Sequence, residues 1–376
     1  MMPKKSPTIS VKPDVLKWLR ESSGWTINEV SKRLNITEEW IKKWESGDEN
    51  PTLNEIKELS DAYKRPLAAF FLPSPVKEPS LPQDFRRLPG ASKPFSRKTL
   101  RAIHKAMNLQ DIGRELLENL NLDIETDVSR ANLRDDPEKV AREERHKLGV
   151  SIEDQFKWKN PYEAFKAWRS AIEQKNILVF QFPMELEELR GFTLLELSPY
   201  AIVVNSSDIV EARIFTLIHE YGHILLREPA LCTPETPLND GSHGASVERW
   251  CNQFAGAFLL PSDDIKSFFE RCGLTKYSKI ASRYKVSRAA TLTRLVNLRL
   301  ISLDKYNEEM SKLPINIYKE QGGIGKPSKR IRQAMGDTFI SLVLENSHKG
   351  FITNNDALSY LGIKTAHLKE LLGHKS

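Results

Sequence analysis

His219-Glu220-Tyr221-Gly222-His223 closes the apolar run Ala212-Arg213-Ile214-Phe215-Thr216-Leu217-Ile218. The run reads as helix. Residues four apart on a helix share a face, so the imidazoles of His219 and His223 can reach one ion. Glu220, between them, projects toward the same cleft and can take a proton from water that the ion activates. Gly222 keeps the second turn slim, so another element can approach. This is the pattern of a zinc hydrolase, and it makes peptide-bond cleavage the leading reading.

Catalytic zinc takes three protein ligands plus water. The best third candidate is Glu248, in Glu248-Arg249-Trp250-Cys251-Asn252-Gln253-Phe254-Ala255-Gly256-Ala257-Phe258-Leu259-Leu260-Pro261. That stretch reads as a second helix, with Phe254, Ala257 and Phe258 able to pack on the first. Asn252 follows one turn later on the same face. It can orient Glu248 or hold a backbone carbonyl, or it is an ordinary satisfied polar residue. Arg213 either anchors the domain through a carboxylate or is a surface charge. Cys251 lies about 100 degrees round the helix from Glu248 and reads as packing. His243, in the polar loop 239–244, and Tyr200 are candidates for stabilising a tetrahedral oxyanion; His243 is also a possible substitute ligand.

At 376 residues the chain has room for two to four domains. No stretch approaches the ~20 apolar residues that span a bilayer. The start, Met1-Met2-Pro3-Lys4-Lys5-Ser6-Pro7, lacks the apolar core of a secretory signal. Cys232, Cys251 and Cys272 form no disulfide pattern and no CxxC knuckle, so a cytoplasmic location is expected. The net charge of +6 is unevenly spread. Residues 181–264 are acidic on balance, whereas residues 265–340 hold 16 basic and 6 acidic residues. The basic stretch either attracts nucleic acid or an acidic partner, or packs against the acidic region.

The fold class expected is mostly α with a small β-sheet. Residues 1–72 read as a helical domain, 73–95 as a proline-marked linker, 96–264 as a peptidase domain with helical scaffold, and 265–376 as a basic helical or winged-helix-like region. Within the first, Thr26-Ile27-Asn28-Glu29 is a capping box, Gly47 allows a left-handed helix exit, and a fifth helix is expected through Tyr63 toward Phe71. A long charged helical region is expected from about Ser96 to Gly149, and a helix from Tyr162 to Gln174. Strands are expected at 177–180, 191–195 and 201–205, forming a sheet beside the active helix whose edge an extended peptide can join. Residues 277–295 read as a second helix-turn-helix-like unit, with Leu292 and Leu295 inward and Arg288 and Arg294 exposed. Gly322-Gly323-Ile324-Gly325-Lys326 reads as a flexible loop, and Thr353-Asn354-Asn355-Asp356 caps a last helix region with Leu358, Leu361 and Leu368 as core.

Residues 12–72 resemble the Cro/repressor-like helix-turn-helix family. The resemblance rests on Thr26-Ile27-Asn28-Glu29-Val30-Ser31-Lys32-Arg33-Leu34, on Ile41-Lys42-Lys43-Trp44-Glu45-Ser46-Gly47, and on Pro51-Thr52. It implies that the helix starting near Thr37 enters a DNA major groove, with Thr37, Lys42 and Lys43 as contacts. Glu38 and Glu39 stand at the end that would face phosphates, and residues 1–72 hold 12 basic against 11 acidic residues. A protein-docking or dimerisation unit is the other reading.

The chain as a whole resembles the ImmA/IrrE family of zinc metallopeptidases, in the subgroup with an N-terminal repressor-like domain. Gly191-Phe192, Val204-Asn205, the stretch Arg213 to His223, and Glu248-Arg249-Trp250-Cys251-Asn252-Gln253-Phe254-Ala255 carry the resemblance, and Asp84-Phe85-Arg86 looks like its inter-module junction. It implies that His219, His223 and Glu248 bind Zn2+ and that Glu220 is the catalytic base. It further implies a protein substrate, a repressor or antitoxin of the helix-turn-helix class, whose cleavage switches genes on. Operator DNA and a second copy of the chain are further possible partners, and no membrane is expected. The alternative is a DNA-binding transcriptional regulator, or a toxin–antitoxin or phage-defence component, acting mainly through partner or operator binding.

Overall fold

Capping chemistry sets the N-terminal helices. In the computed structural model, which describes residues 7–63, 65–76, 95–228, 231–232, 242–272, 277–313, 327–365 and 367, α1 (Pro13–Ser22) opens on a proline whose missing N–H costs nothing at a first turn. α2 (Ile27–Leu34) begins with the capping box: the Glu29 N–H donates to Thr26 Oγ1 at 3.2 Å, and the Thr26 N–H donates to Glu29 Oε2 at 2.9 Å. α3 (Glu38–Ser46) ends at Gly47, whose φ of 87° suits a residue without a Cβ. α4 (Leu53–Tyr63) starts from a second reciprocal pair, Thr52 and Glu55. The expected fifth helix is a short 3-10 turn, Leu67–Phe71. Pro66 explains the difference, since a proline disfavours helical backbone at the residue before it.

Val15, Leu19, Val30, Ile41, Trp44, Ile56, Leu59 and Phe70 form this unit's core. Arg20 binds both oxygens of Glu45, at 2.6 and 2.9 Å, and the Trp25 carbonyl at 2.9 Å. That bidentate pair clamps α1 to α3. Thr37, the N-cap of α3, and Lys42 and Lys43 on α3 are exposed, and Lys43 lies over the half-exposed Trp40 ring at 5.0 Å.

The chain divides into two compact units, Met1–Gln83 with Pro89–Arg101, and Asp84–Leu88 with Ala102–Ser376. The expected long helix across 96–149 is two: α5 (Arg97–Asn119) and α6 (Pro137–Lys147). Between them Asn121 takes a left-handed φ of 53°, and Asp136-Pro137 starts α6 with a side-chain cap. α7 (Ile152–Lys157) and α8 (Pro161–Glu173) follow, each capped by a side chain from Ser151 and Asn160. Strands β1 (Leu178–Phe182), β2 (Gly191–Leu194) and β3 (Ala201–Asn205) are buried throughout, as their apolar content predicts. A two-residue β4 (Leu231–Cys232) adds a fourth strand. The order is β1-β3-β2-β4, parallel between β1 and β3 and antiparallel elsewhere. β1 and β4 are therefore the edges, and β4 pairs with Gly191 and Phe192 only. Buried Asn205 closes the turns beside the sheet: its Oδ1 accepts from the Met184 and Ser207 N–H groups, and its Nδ2 donates to the Met184 and Leu189 carbonyls.

α9 (Val210–Leu226) lies against β2 and β3 on one side and packs on α8 and on α10 (His243–Leu259). Its apolar residues Ile214, Leu217, Ile218, Tyr221, Ile224 and Leu225 are all fully buried in one core with Trp168, Phe254 and Phe258. Gly222 faces α10: a Cβ built there would meet Phe254 at 3.2 Å and the Cys251 Sγ at 3.3 Å. Cys251 is thus a packing residue, as its angular offset predicts.

Beyond α10 the described residues are helices and turns: α11 (Ser262–Cys272), α12 (Tyr277–Tyr284), α13 (Arg288–Asn297), α14 (Leu303–Ser311), α15 (Pro327–Met335), α16 (Asp337–Lys349) and α17 (Asn354–Leu361). Of the two forms expected for this region, the helical one is present. α12 and α13 make the second helix-turn-helix-like unit, with Leu292 and Leu295 buried and Ser287 capping α13. Arg294 is not exposed as expected but buried. It grips the Glu138 carboxylate with two nitrogens and donates to the Leu260 carbonyl at 2.8 Å. Part of the basic segment's charge is therefore spent inside the fold. Asp84-Phe85-Arg86, the expected loop 322–326 and Leu368 lie outside the described residues.

The close approach at Gly222 makes a direct expectation. Gly222→Leu drives a branched side chain into Phe254 and Cys251 and should lower stability by about 1–3 kcal/mol, as overpacking does. A thermal unfolding midpoint equal to that of the unaltered protein would contradict this packing of α9 on α10.

Candidate metal centre

The buried helix α9 carries His219 and His223 four residues apart, and α10 brings Glu248 across to them. His219 Nε2 lies 3.2 Å from Glu248 Oε2, and His223 Nε2 lies 3.4 Å from Glu248 Oε1. The two Nε2 atoms are 3.0 Å apart. Ligands about 2.0–2.1 Å from one tetrahedral ion are separated from each other by roughly 3.3 Å. The two ring nitrogens and the two carboxylate oxygens thus lie at about the separation of atoms that share one ion, and one ligand atom from each residue falls within 4.8 Å of the others. All three side chains are buried, and the only such His/Cys/Asp/Glu cluster among the described residues is this one.

The far sides of the rings decide what the near sides can do. His223 Nδ1 is 3.0 Å from the Glu228 carbonyl oxygen, which can only accept, so that nitrogen carries the proton. His219 Nδ1 faces Asn252 Oδ1 at 3.1 Å. Each neutral ring then points an Nε2 lone pair inward. Two lone pairs and a carboxylate converge with no donor between them, and a shared cation resolves that conflict. Burial pulls the His223 imidazole below its ordinary value, with His219 adding to the effect against the pull of Glu248. Burial pushes the Glu248 carboxyl up, but charge and N–H donation from the facing His219 and His223 rings in their protonated form outweigh it and hold it below the usual carboxylate range. A neutral imidazole and an ionised carboxylate are the forms in which such groups bind metal.

Glu220 is fully buried, and neither carboxylate oxygen has a hydrogen-bond partner among the described residues. An orphaned buried carboxylate is costly unless something it serves is brought to it. Burial, with the charge of Glu248 added, pushes its carboxyl well above the ordinary value. Gly191 on β2 leaves room for it: a Cβ there would sit 3.1 Å from Glu220 Oε1, 2.5 Å from Thr216 Cγ2 and 3.0 Å from the Val203 carbonyl.

The remaining sequence candidates fall elsewhere. Asn252 meets His219 rather than Glu248. Arg213 donates to the Asp208 carbonyl at 2.7 Å and to Gln181 Oε1 at 3.3 Å, fixing the approach to α9. Tyr200 lies under the Arg227 guanidinium at 4.9 Å. His243 is the first residue of α10, not a loop residue, because Ser242 caps that helix. It is exposed, and its Nε2 is 3.4 Å from Glu228 Oε1. Glu228 itself is a partner that sequence reading missed; its backbone carbonyl, not its side chain, holds His223, and nothing in a residue's identity announces that.

A buried His-His-Glu cluster on two packed helices, beside a carboxylate that has no hydrogen-bond partner among the described residues, is a site that could hold a metal ion. Residues 172–296 match the family model of the IrrE N-terminal-like domain, a peptidase family, and residues 16–70 match that of a helix-turn-helix domain. The chain therefore carries an IrrE N-terminal-like domain of a peptidase family after a helix-turn-helix domain, in line with the sequence resemblance. Over 98 residues it is 36% identical to the radiation response metalloprotease IrrE of Deinococcus radiodurans, a match covering 25% of this chain and 30% of that protein. No helix among the described residues is long and apolar enough to cross a membrane.

His223→Ala removes one of three converging atoms and should abolish a one-to-one zinc content measured by elemental analysis. Asn252→Ala keeps the ligands but frees the His219 ring, and should weaken zinc about 10–100-fold in a chelator competition. Full zinc content in the His223 variant would remove that residue from the ligand set.

Proposed function

We propose that this chain is a zinc-dependent endopeptidase acting on a helix-turn-helix repressor or antitoxin-type protein, and so releasing the genes that protein holds off. The reading is carried by one observation: three buried ligand-type atoms converge while the carboxylate of Glu220, next in sequence to His219, has no partner of its own. His219, His223 and Glu248 would hold the ion. A divalent cation there supplies Lewis acidity, which acidifies water and polarises a carbonyl.

The chain's own residues do the rest. Glu220 accepts a proton from the attacking water and passes it to the nitrogen of the leaving amine. Its raised affinity for protons suits a group that must take one and give it back. Asn252 and the Glu228 carbonyl fix the ring orientations, so the ligand atoms do not have to reorganise. Gly191 leaves the space in which the Glu220 carboxylate lies.

Operator binding by the N-terminal unit is a second reading, favoured by the exposure of Thr37, Lys42 and Lys43 on one helix. Glu39 on that same exposed face opposes it. The two readings separate cleanly. Glu220→Gln should retain zinc and fold yet lose cleavage of a helix-turn-helix protein encoded beside this gene, followed by mass spectrometry of fragments; persistent cleavage would refute the role given to Glu220. If operator binding is the main activity, Lys42→Ala with Lys43→Ala should weaken binding to the gene's upstream DNA and reduce the log–log salt slope by about two. An unchanged slope would exclude phosphate contacts by those lysines.

A further inference from the structure

A groove of about 490 Å³ opens at the C-terminal end of α9. Arg130, Asn132, Arg134 and Asp135, from the segment between α5 and α6, line it together with Leu226 and Glu228. The segment is fixed to both ligand-bearing helices. The Ala131 N–H donates to the Leu225 carbonyl of α9 at 2.9 Å, and Trp250 Nε1 of α10 donates to the Asp135 carbonyl at 2.9 Å. Glu228 belongs both to the groove wall and, through its carbonyl, to the setting of His223.

Charges in the groove are unequally engaged. Asp135 Oδ2 accepts the Asn132 N–H at 2.8 Å, and Glu228 Oε1 lies 3.4 Å from His243 Nε2. Arg130 and Arg134 are exposed and have no hydrogen-bond or ion-pair partner among the described residues. The acids already have company and the two guanidinium groups do not. A planar guanidinium matches a carboxylate fork, and the apolar floor at Leu226 and Leu133 suits the methylenes of an acidic side chain. The groove adjoins the ligand cluster through Glu228, whose carbonyl stands 3.0 Å from His223 Nδ1, and an extended chain advances about 3.3–3.6 Å per residue.

We propose that this groove is a substrate subsite in which Arg130 and Arg134 take an aspartate or glutamate side chain of the polypeptide near its scissile bond. The proposal rests on the peptidase reading. It makes an acidic residue at one fixed offset from the cut a requirement of recognition.

The test uses the zinc-loaded Glu220→Gln protein and fluorescein-labelled nonapeptides that differ only in where a single glutamate stands, each paired with its glutamine counterpart. Fluorescence anisotropy should give about fivefold tighter binding for glutamate at one position and not at the others, the size expected of a solvent-accessible ion pair. Arg130→Ala with Arg134→Ala should erase that preference while far-UV circular dichroism stays unchanged, since both side chains are exposed. Glutamate and glutamine peptides binding alike at every position, or a preference that survives the double substitution, would overturn the proposal. The same peptides incubated with the unaltered zinc-loaded protein keep the two readings apart. Cleavage without acidic preference sinks the subsite alone, whereas acidic preference in binding with no cleavage of any peptide sinks the peptidase reading.

Discussion

Two imidazoles and a carboxylate meet in a buried cleft, and the packing around them is organised to keep them there. Like-natured acceptors repel at 3 Å unless a cation stands between them. The protein holds them together in advance by occupying the back of each ring, His219 with Asn252 and His223 with the Glu228 carbonyl. A cation held between these groups would relieve that unfavourable contact. Glu220 extends the same logic: a buried carboxylate with no partner is maintained only where surrounding packing fixes it.

That packing comes from the interface of α9 with α10 and from the sheet behind α9. Gly222 lets α10 approach close enough for Glu248 to reach the histidines, with Phe254 and Cys251 filling the space around it. On the other side Gly191 lets β2 pass close to Thr216 and Glu220. Two glycines on different elements therefore set the width of the site. α6 and α13 brace the arrangement from outside through Arg294, which ties Glu138 of α6 to the carbonyl that ends α10. A cation that looks like surface charge in the sequence is a buried strut.

Much of this was legible from local chemistry. The capping pairs Thr26/Glu29 and Thr353/Asp356 and the apolar runs of β1 and β3 each act within a few residues, so they can be read along the chain. Errors fell where a single residue interrupts a strong pattern. Pro66 cut the fifth helix down to a 3-10 turn, Asn121 and Pro137 split the long charged helix, and Ser242 drew His243 out of its loop into α10.

The sequence by itself determined the helical spacing of His219 and His223, the presence of Glu220 between them, and a second helix able to supply Glu248, because these depend on the 3.6-residue period alone. Tertiary structure alone decided which atoms face which. It turned Asn252 to His219 rather than to Glu248, gave His223 a backbone carbonyl as partner, and placed Arg130 and Arg134 in the wall of one groove. Those outcomes depend on distances between segments far apart in the chain, and such distances are set by packing rather than by any local preference.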